Sequence, residues 1–248
     1  MIDPEKVQGM EAYLEKQRKS HFFTGISGSA AMMYYPATTD QFTWSADLSL
    51  GLTAGRFYFE TGIGYQDVRE KGSYTIEFRS YDSVGYYNSV QSFEVNPLNP
   101  DEILYKTEEV TVFDSITHFS PASPTYSYTY LNIPLSLGYK VLQKDRLTVG
   151  VETGIRFSWL MNSNHDVVAF SYPESTHVRT YDQTPGRVNM NLSWQIAGRL
   201  DYRILRSMSV SVKPVFTKYL NSIYDTRSGY RNTKPYSMGI QVGIYYGF

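Results

Sequence analysis

The chain has 248 residues, with 23 basic and 24 acidic side chains, four histidines, no cysteine and 23 tyrosines. That length fits one all-β barrel. The near-balance of charge leaves no excess of cations to hold a nucleic-acid backbone, and the lack of cysteine excludes disulfides, thiolate zinc sites and a cysteine nucleophile. No run approaches the roughly 18 uncharged apolar residues of a membrane-spanning helix. Transmembrane β-barrels alternate apolar and polar residues, so the negative mean hydropathy leaves that class open.

Residues 1–20 differ from the rest. Asp3-Pro4 reads as an N-cap followed by proline at the first helical position. Val7, Met10, Tyr13 and Leu14 then recur at helical spacing among charged side chains. A short amphipathic helix or periplasmic tether is expected there. No apolar signal core follows Met1, so either a signal has been removed or the chain is the end of a longer protein.

From His21 onward the pattern has the period of a strand. Strands are expected at about 21–35, 41–53, 56–69, 125–141, 147–161, 188–203, 206–220 and 236–248. The last is the clearest: Tyr236, Met238, Ile240, Val242, Ile244, Tyr246 and Phe248 share one face, and Ser237, Gly239, Gln241, Gly243, Tyr245 and Gly247 the other. Each segment reaches the roughly 9–11 residues that a tilted strand needs to cross a bilayer.

Ala54-Gly55, Gln143-Lys144-Asp145 and Ile204-Leu205 read as tight turns, whereas 70–124, 162–187 and 221–235 are long, polar connections. Short and long connections alternate, apart from a brief Pro36–Asp40 loop. An even strand count with both termini on the short-turn side is the outer-membrane arrangement. Aromatic positions agree with it. Tyr34, Phe42, Trp44, Tyr65, Phe157, Trp159, Phe216 and Tyr236 fall at one rim of the outward face, and Phe22, Phe57, Phe59, Tyr139, Tyr202, Tyr246 and Phe248 at the other. Two girdles around a band of Leu, Ile, Val and Met suit a lipid bilayer; a soluble barrel would turn its apolar face inward. The expectation is therefore an all-β, eight-stranded antiparallel up-and-down transmembrane β-barrel with a short N-terminal helix, in a bacterial outer membrane with both termini periplasmic.

Tyr130-Leu131-Asn132-Ile133-Pro134-Leu135, followed by Gly138-Tyr139-Lys140, resembles a strand of small outer-membrane β-barrel proteins from Bacteroidota, a group that includes the PorT-like barrels. Tyr245-Tyr246-Gly247-Phe248 resembles the C-terminal signal read by the barrel-assembly machinery, with Tyr246 and Phe248 as its aromatics. The resemblance covers residues 21–248 and implies a fold group more than an activity. Some members are the C-terminal barrel of longer dual-membrane anti-sigma chains, which residues 1–20 would suit as a linker.

Three sets of residues are candidates for function. Asp47, Glu60, Glu152 and Asp201 are expected to point inward, as are Lys140, Arg156, Arg199, Arg203 and Lys213. Opposite charges in a narrow lumen should pair, because an unpaired buried charge costs several kcal/mol, and an eight-stranded barrel is just wide enough to be filled by side chains. The expected result is a salt-bridged plug, with a gated ion path as the alternative. His118, His165 and His177 lie in long connections near Ser115, Ser120, Asp166, Ser171 and Glu174, with His21 at the other rim. No spacing makes a hydrolase triad of them or a metal site of His165, Asp166 and His177. No cofactor, catalytic residue or metal is expected. The third set is the insertion 71–124, where Tyr74–Phe78, Phe93–Val95 and Glu109–Phe113 alternate again, so the flanking strands are expected to continue as hairpins. Its acids Asp101, Glu102, Glu108, Glu109 and Asp114 lack calcium-loop spacing, and its length and tyrosines suit protein docking.

The function expected is a non-enzymatic anchor, sensor or assembly module, with a small channel or a lipid-modifying enzyme as alternatives. Its partners would be the lipid bilayer, the barrel-assembly machinery during insertion, and a protein bound through 71–124 or 1–20.

Overall fold

The computed structural model describes residues 20–34, 41–166, 170, 176–225 and 232–248. The helix expected before His21, the loop 36–40, Ser171 and Glu174 lie outside the described residues.

Eleven strands are described: β1 (His21–Tyr34), β2 (Gln41–Ala54), β3 (Phe57–Lys71), β4 (Tyr74–Val95), β5 (Ile103–Ala122), β6 (Thr125–Lys144), β7 (Leu147–His165), β8 (Thr176–Asp182), β9 (Met190–Arg203), β10 (Met208–Tyr219) and β11 (Tyr236–Gly247). Eight of them, in the order β1-β2-β3-β6-β7-β9-β10-β11, form a closed barrel in which β11 returns to pair with β1. All barrel pairings are antiparallel. Closure leaves no edge strand, so every ladder finds partners within the sheet.

The strand ends follow from local chemistry. Gly55 takes φ 61° and Asp145 φ 37°, left-handed conformations that glycine and aspartate tolerate, and these two tight turns fall where the sequence places them. The third turn is longer than expected. Ile204 and Leu205 both donate their N–H to Met208 O, at 3.0 and 3.2 Å, so β10 begins at Met208 rather than at 206. Similarly, β9 begins at Met190 because the Val188 N–H goes to Ile223 O at 3.0 Å.

The insertion forms the hairpin expected of it, β4 with β5, but not as a continuation of the barrel strands. Its strands do not prolong the barrel ladder, which ends at Lys71↔Thr125. Gly72 N–H bonds Pro124 O at 2.8 Å, and Pro124 has no N–H to continue the ladder. β4 pairs instead with β5 and with β8, which comes from the second long connection, 162–187, in a separate three-stranded sheet. The chain accordingly divides into two compact units.

Within the barrel, the faces alternate without a slip on β2: Gln41, Thr43, Ser45, Asp47 and Ser49 are buried while Phe42, Trp44, Leu48 and Leu50 are exposed. Across the barrel the buried set is mostly polar and the exposed set mostly apolar, with Ile26 at 66% and Ile240 at 57% exposure. This inverts the usual globular arrangement, in which large exposed apolar patches are rare.

Candidate functional site: the charged lumen

The exposed apolar belt is bordered by rings at both ends. At the end away from the tight turns, Tyr34 stacks on Tyr236 (5.3 Å between ring centres), Phe157 stacks on Trp159 (6.1 Å), and Trp44 meets Tyr65 at a tilt (5.4 Å). At the turn end Phe57 meets Tyr139 at 5.0 Å and Tyr246 meets Phe248 edge-on at 5.2 Å, with Tyr202 exposed on the same face. Next to Trp44 the outward face turns polar: Asp67 accepts from the Trp44 indole (3.2 Å), Arg69 Nε (3.0 Å) and Ser127 Oγ (2.6 Å).

Two charged layers cross the interior. The first joins residues from four strands. Lys213 on β10 lies 3.2 Å from both Glu60 on β3 and Glu152 on β7. Arg199 on β9 reaches Glu60 at 2.8 Å, Asp201 at 2.8 Å and Glu152 at 3.9 Å. Since β3 and β10 are not neighbours in the barrel, these bonds cross the lumen. Two tyrosines complete the layer: Tyr58 donates to Glu152 (3.0 Å) and Tyr245 to Glu60 (3.2 Å). The Arg199 guanidinium carbon lies 4.4 Å from the centre of the Tyr245 ring and 4.9 Å from that of Tyr58, within cation–π range. Glycines make room for these rings. A Cβ on Gly138 would lie 2.0 Å from Tyr58 Cζ, and one on Gly25 would lie 2.4 Å from Tyr245 Cδ1.

Of the nine inward charges expected from the sequence, the structure brings Glu60, Glu152, Arg199, Asp201 and Lys213 together and leaves four apart. Asp47 accepts from Ser45 Oγ at 2.9 Å and has no ion pair within 4.0 Å among the described residues. Arg156 lines a void of about 30 Å³ beside Gln66, Ser193 and Tyr219, also without an ion pair. The Lys140 ammonium bonds Thr53 Oγ1 at 3.5 Å, has no ion pair within 4.0 Å among the described residues, and faces a cavity at the turn end. Arg203 faces the same cavity. Strand alternation gives the face but not the height along the axis, and these four sit at other heights.

The second layer escapes sequence reasoning. Arg187 pairs with Glu70, both fully buried. Gln41 Nε2 and Tyr224 Oη also donate to Glu70, at 2.8 and 3.2 Å. The guanidinium lies between the Tyr128 and Tyr224 rings, 4.8 and 4.9 Å from their centres. A bridge between Arg187 and Tyr224 holds the segment in place. Arg187 lies outside any strand, so no periodicity assigns it a face, and Glu70 lies one residue beyond the expected end of its strand.

No protein-family model matches the sequence, and no curated protein matches it. Solved structures of outer-membrane proteins align with most of this chain, three of them as follows. Neisserial surface protein A aligns at 10% identity over 93% of this chain and 99% of that one, with a TM-score of 0.47. Ail of Yersinia pestis aligns at 6% over 92% and 99%, TM-score 0.38, and a major outer membrane protein of Thermus thermophilus at 11% over 91% and 99%, TM-score 0.38. The barrel assignment rests on the strand pairing itself.

The histidines do not assemble a reactive centre among the described residues. His165 stacks on Tyr126 at 5.2 Å and His177 sits at φ 54° at the start of β8. In the three-stranded sheet, His118 stacks on Phe78 at 5.2 Å and bonds Asp82 at 2.6 Å. Ser80 Oγ donates to the same carboxylate oxygen at 2.5 Å. The order is serine–aspartate–histidine, so the imidazole is not placed to take the hydroxyl proton as a hydrolase requires. The Ser80 hydroxyl, and after it His118, holds the Asp82 carboxyl below the usual aspartate range. No group of three metal-ligating side chains occurs among the described residues.

Proposed function

We propose that this chain is a non-enzymatic outer-membrane β-barrel that serves as an anchor or interaction module, with a closed lumen and both termini on the periplasmic side. The observation that carries the reading is the inverted barrel: an apolar belt between aromatic rings outside, and inside it the cross-lumen Glu60–Lys213–Glu152 bridge. Lipid satisfies the belt, and paired charges fill the space a conducting pore would need. The same reading assigns Tyr246 and Phe248 to recognition by the barrel-assembly machinery.

Interaction is supported by the three-stranded sheet, where Tyr81, Tyr86, Phe93, Tyr105 and Phe119 are each more than half exposed. Large rings with little conformational entropy to lose suit protein contacts. The runner-up is a gated channel. It draws on buried polar atoms within the lumen that have no hydrogen-bond partner among the described residues, including Asp47 Oδ1, Asn132 Oδ1, Gln195 Oε1 and Ser211 Oγ.

The test is purification from native membranes in mild detergent with mass spectrometry of what co-elutes, followed by planar-bilayer recording. A stoichiometric protein companion and a silent bilayer support the proposal. A barrel that arrives alone and conducts moves the assignment to the channel.

A further inference from the structure

The turn end of the barrel holds a cavity of about 440 Å³ beneath the first charged layer, within the size range of small-molecule sites. Its wall is strongly one-sided in charge. Lys140, Arg146, Arg199, Arg203 and Arg206 line it, with Asp201 as the only acidic side chain. Arg199 and Asp201 are committed to each other at 2.8 Å. The other four cations have no carboxylate within 4.0 Å among the described residues, although the chain as a whole carries a net charge of only −1. They come from β6, the β6–β7 turn, β9 and the β9–β10 turn, so four separate segments converge on one space.

Such a concentration is costly without a counter-charge. Like charges repel. Arg146, Arg203 and Arg206 are exposed at the rim, so the repulsion weighs most at the half-buried Lys140, whose ammonium reaches only a neutral hydroxyl, Thr53 Oγ1 at 3.5 Å, among the described residues. Stability alone would favour a neutral residue there. Guanidinium groups offer paired donors that match phosphate oxygens, and four cations exceed what one carboxylate can neutralise.

We infer that this cavity is a binding site for a phosphate-bearing anion, held by Lys140, Arg146, Arg203 and Arg206. Two sources supply that chemistry: a soluble phosphorylated molecule, or the headgroup of an anionic phospholipid in the adjacent leaflet. The cavity abuts the first charged layer through Tyr58, Arg199, Asp201 and Tyr245, but the four cations proposed to hold the anion take no part in its bridges, and the site stands whether the barrel serves as anchor or as channel.

The test uses the full chain in phosphatidylcholine nanodiscs, titrated calorimetrically with inorganic pyrophosphate. A parallel arm counts phosphatidylglycerol molecules retained on the purified protein by native mass spectrometry. Saturable one-to-one pyrophosphate binding, weakened about tenfold in Lys140→Gln and in Arg203→Gln, supports a soluble ligand; a tenfold loss corresponds to about 1.4 kcal/mol, near the lower edge of what one charged hydrogen bond contributes. Retention of phosphatidylglycerol that the same variants lose supports a headgroup. If either variant fails to fold, Arg146→Gln at the exposed turn replaces it. Absence of saturable binding in both arms, or binding that the substitutions leave unchanged, overturns the inference.

Discussion

Replacing Lys213 with methionine keeps the length of the side chain and removes the ammonium that bridges Glu60 and Glu152. Each contact is 3.2 Å long, which at an effective dielectric near 20 corresponds to a gross attraction of about 5 kcal/mol. Most of that is offset by the desolvation of a lysine only 2% exposed. The loss expected is therefore the cost of leaving a buried charge uncompensated, about 3–5 kcal/mol. Three acids and two cations give the layer a net charge of −1 in the native protein; Lys213→Met takes it to −2, and adding Glu60→Gln restores −1. The double variant should therefore lose less than the sum of the two single losses, by at least about 1 kcal/mol, the coupling expected of residues in one network. The assay is urea unfolding in lipid vesicles followed by tryptophan fluorescence. A loss below about 1 kcal/mol for Lys213→Met, or strict additivity in the double variant, would refute the bridge as a stabilising element.

Three further outcomes follow from the geometry. Arg187→Gln should destabilise the barrel by about 3 kcal/mol, because Glu70 loses its buried cation; an unfolding midpoint within error of the parent would sink that reading. Gly138→Ala drives a methyl into the Tyr58 ring and should cost about 1–3 kcal/mol, with Tyr58→Leu relieving part of the clash; two thermal shifts that simply add would argue against the contact. In the three-stranded sheet, the Asp82 carboxyl titrates below its ordinary value of 3.8, so its contribution is present above that value and is lost as pH falls through the lower, folded-state value. Amide protection of β4 and β5 should therefore fall on acidification below about pH 4, and Asp82→Asn should remove that component. An unchanged acid profile in Asp82→Asn would contradict it.

Much of the barrel is legible in the sequence because a polar lumen and an apolar belt impose the same two-residue period on every strand. Ile240, Val242 and Ile244 declare their face without any tertiary information, and Gly55 and Asp145 mark turns by residue type. The lumen bridges are half legible. Alternation puts Glu60, Glu152, Arg199 and Lys213 inside, but which cation meets which acid depends on strand stagger. Asp47 and Arg156 share the polar face and still find no opposite charge within 4.0 Å among the described residues. Arg187 is illegible because it lies in irregular chain, and its burial comes from Tyr128, Tyr224 and Glu70, all distant in sequence. The three-stranded sheet is partly legible: β4 and β5 alternate visibly, whereas the pairing of β4 with β8 joins segments about a hundred residues apart, as in the Tyr181–Glu77 bond at a separation of 104.

The account depends most directly on the outward face lying in lipid, and the tryptophans report on it. Trp44, Trp159 and Trp194 are the chain's three tryptophans; each lies on the outward face of its strand, toward the end away from the tight turns. The measurement is fluorescence of the protein reconstituted in vesicles whose lipids carry bromine at defined depths. Strong quenching is expected, greater for bromines high on the acyl chain than for bromines near its end, because the aromatic ring lies at the border of the belt. Emission unaffected by brominated lipid at any depth would mean that the apolar face does not meet a bilayer, and would contradict the account.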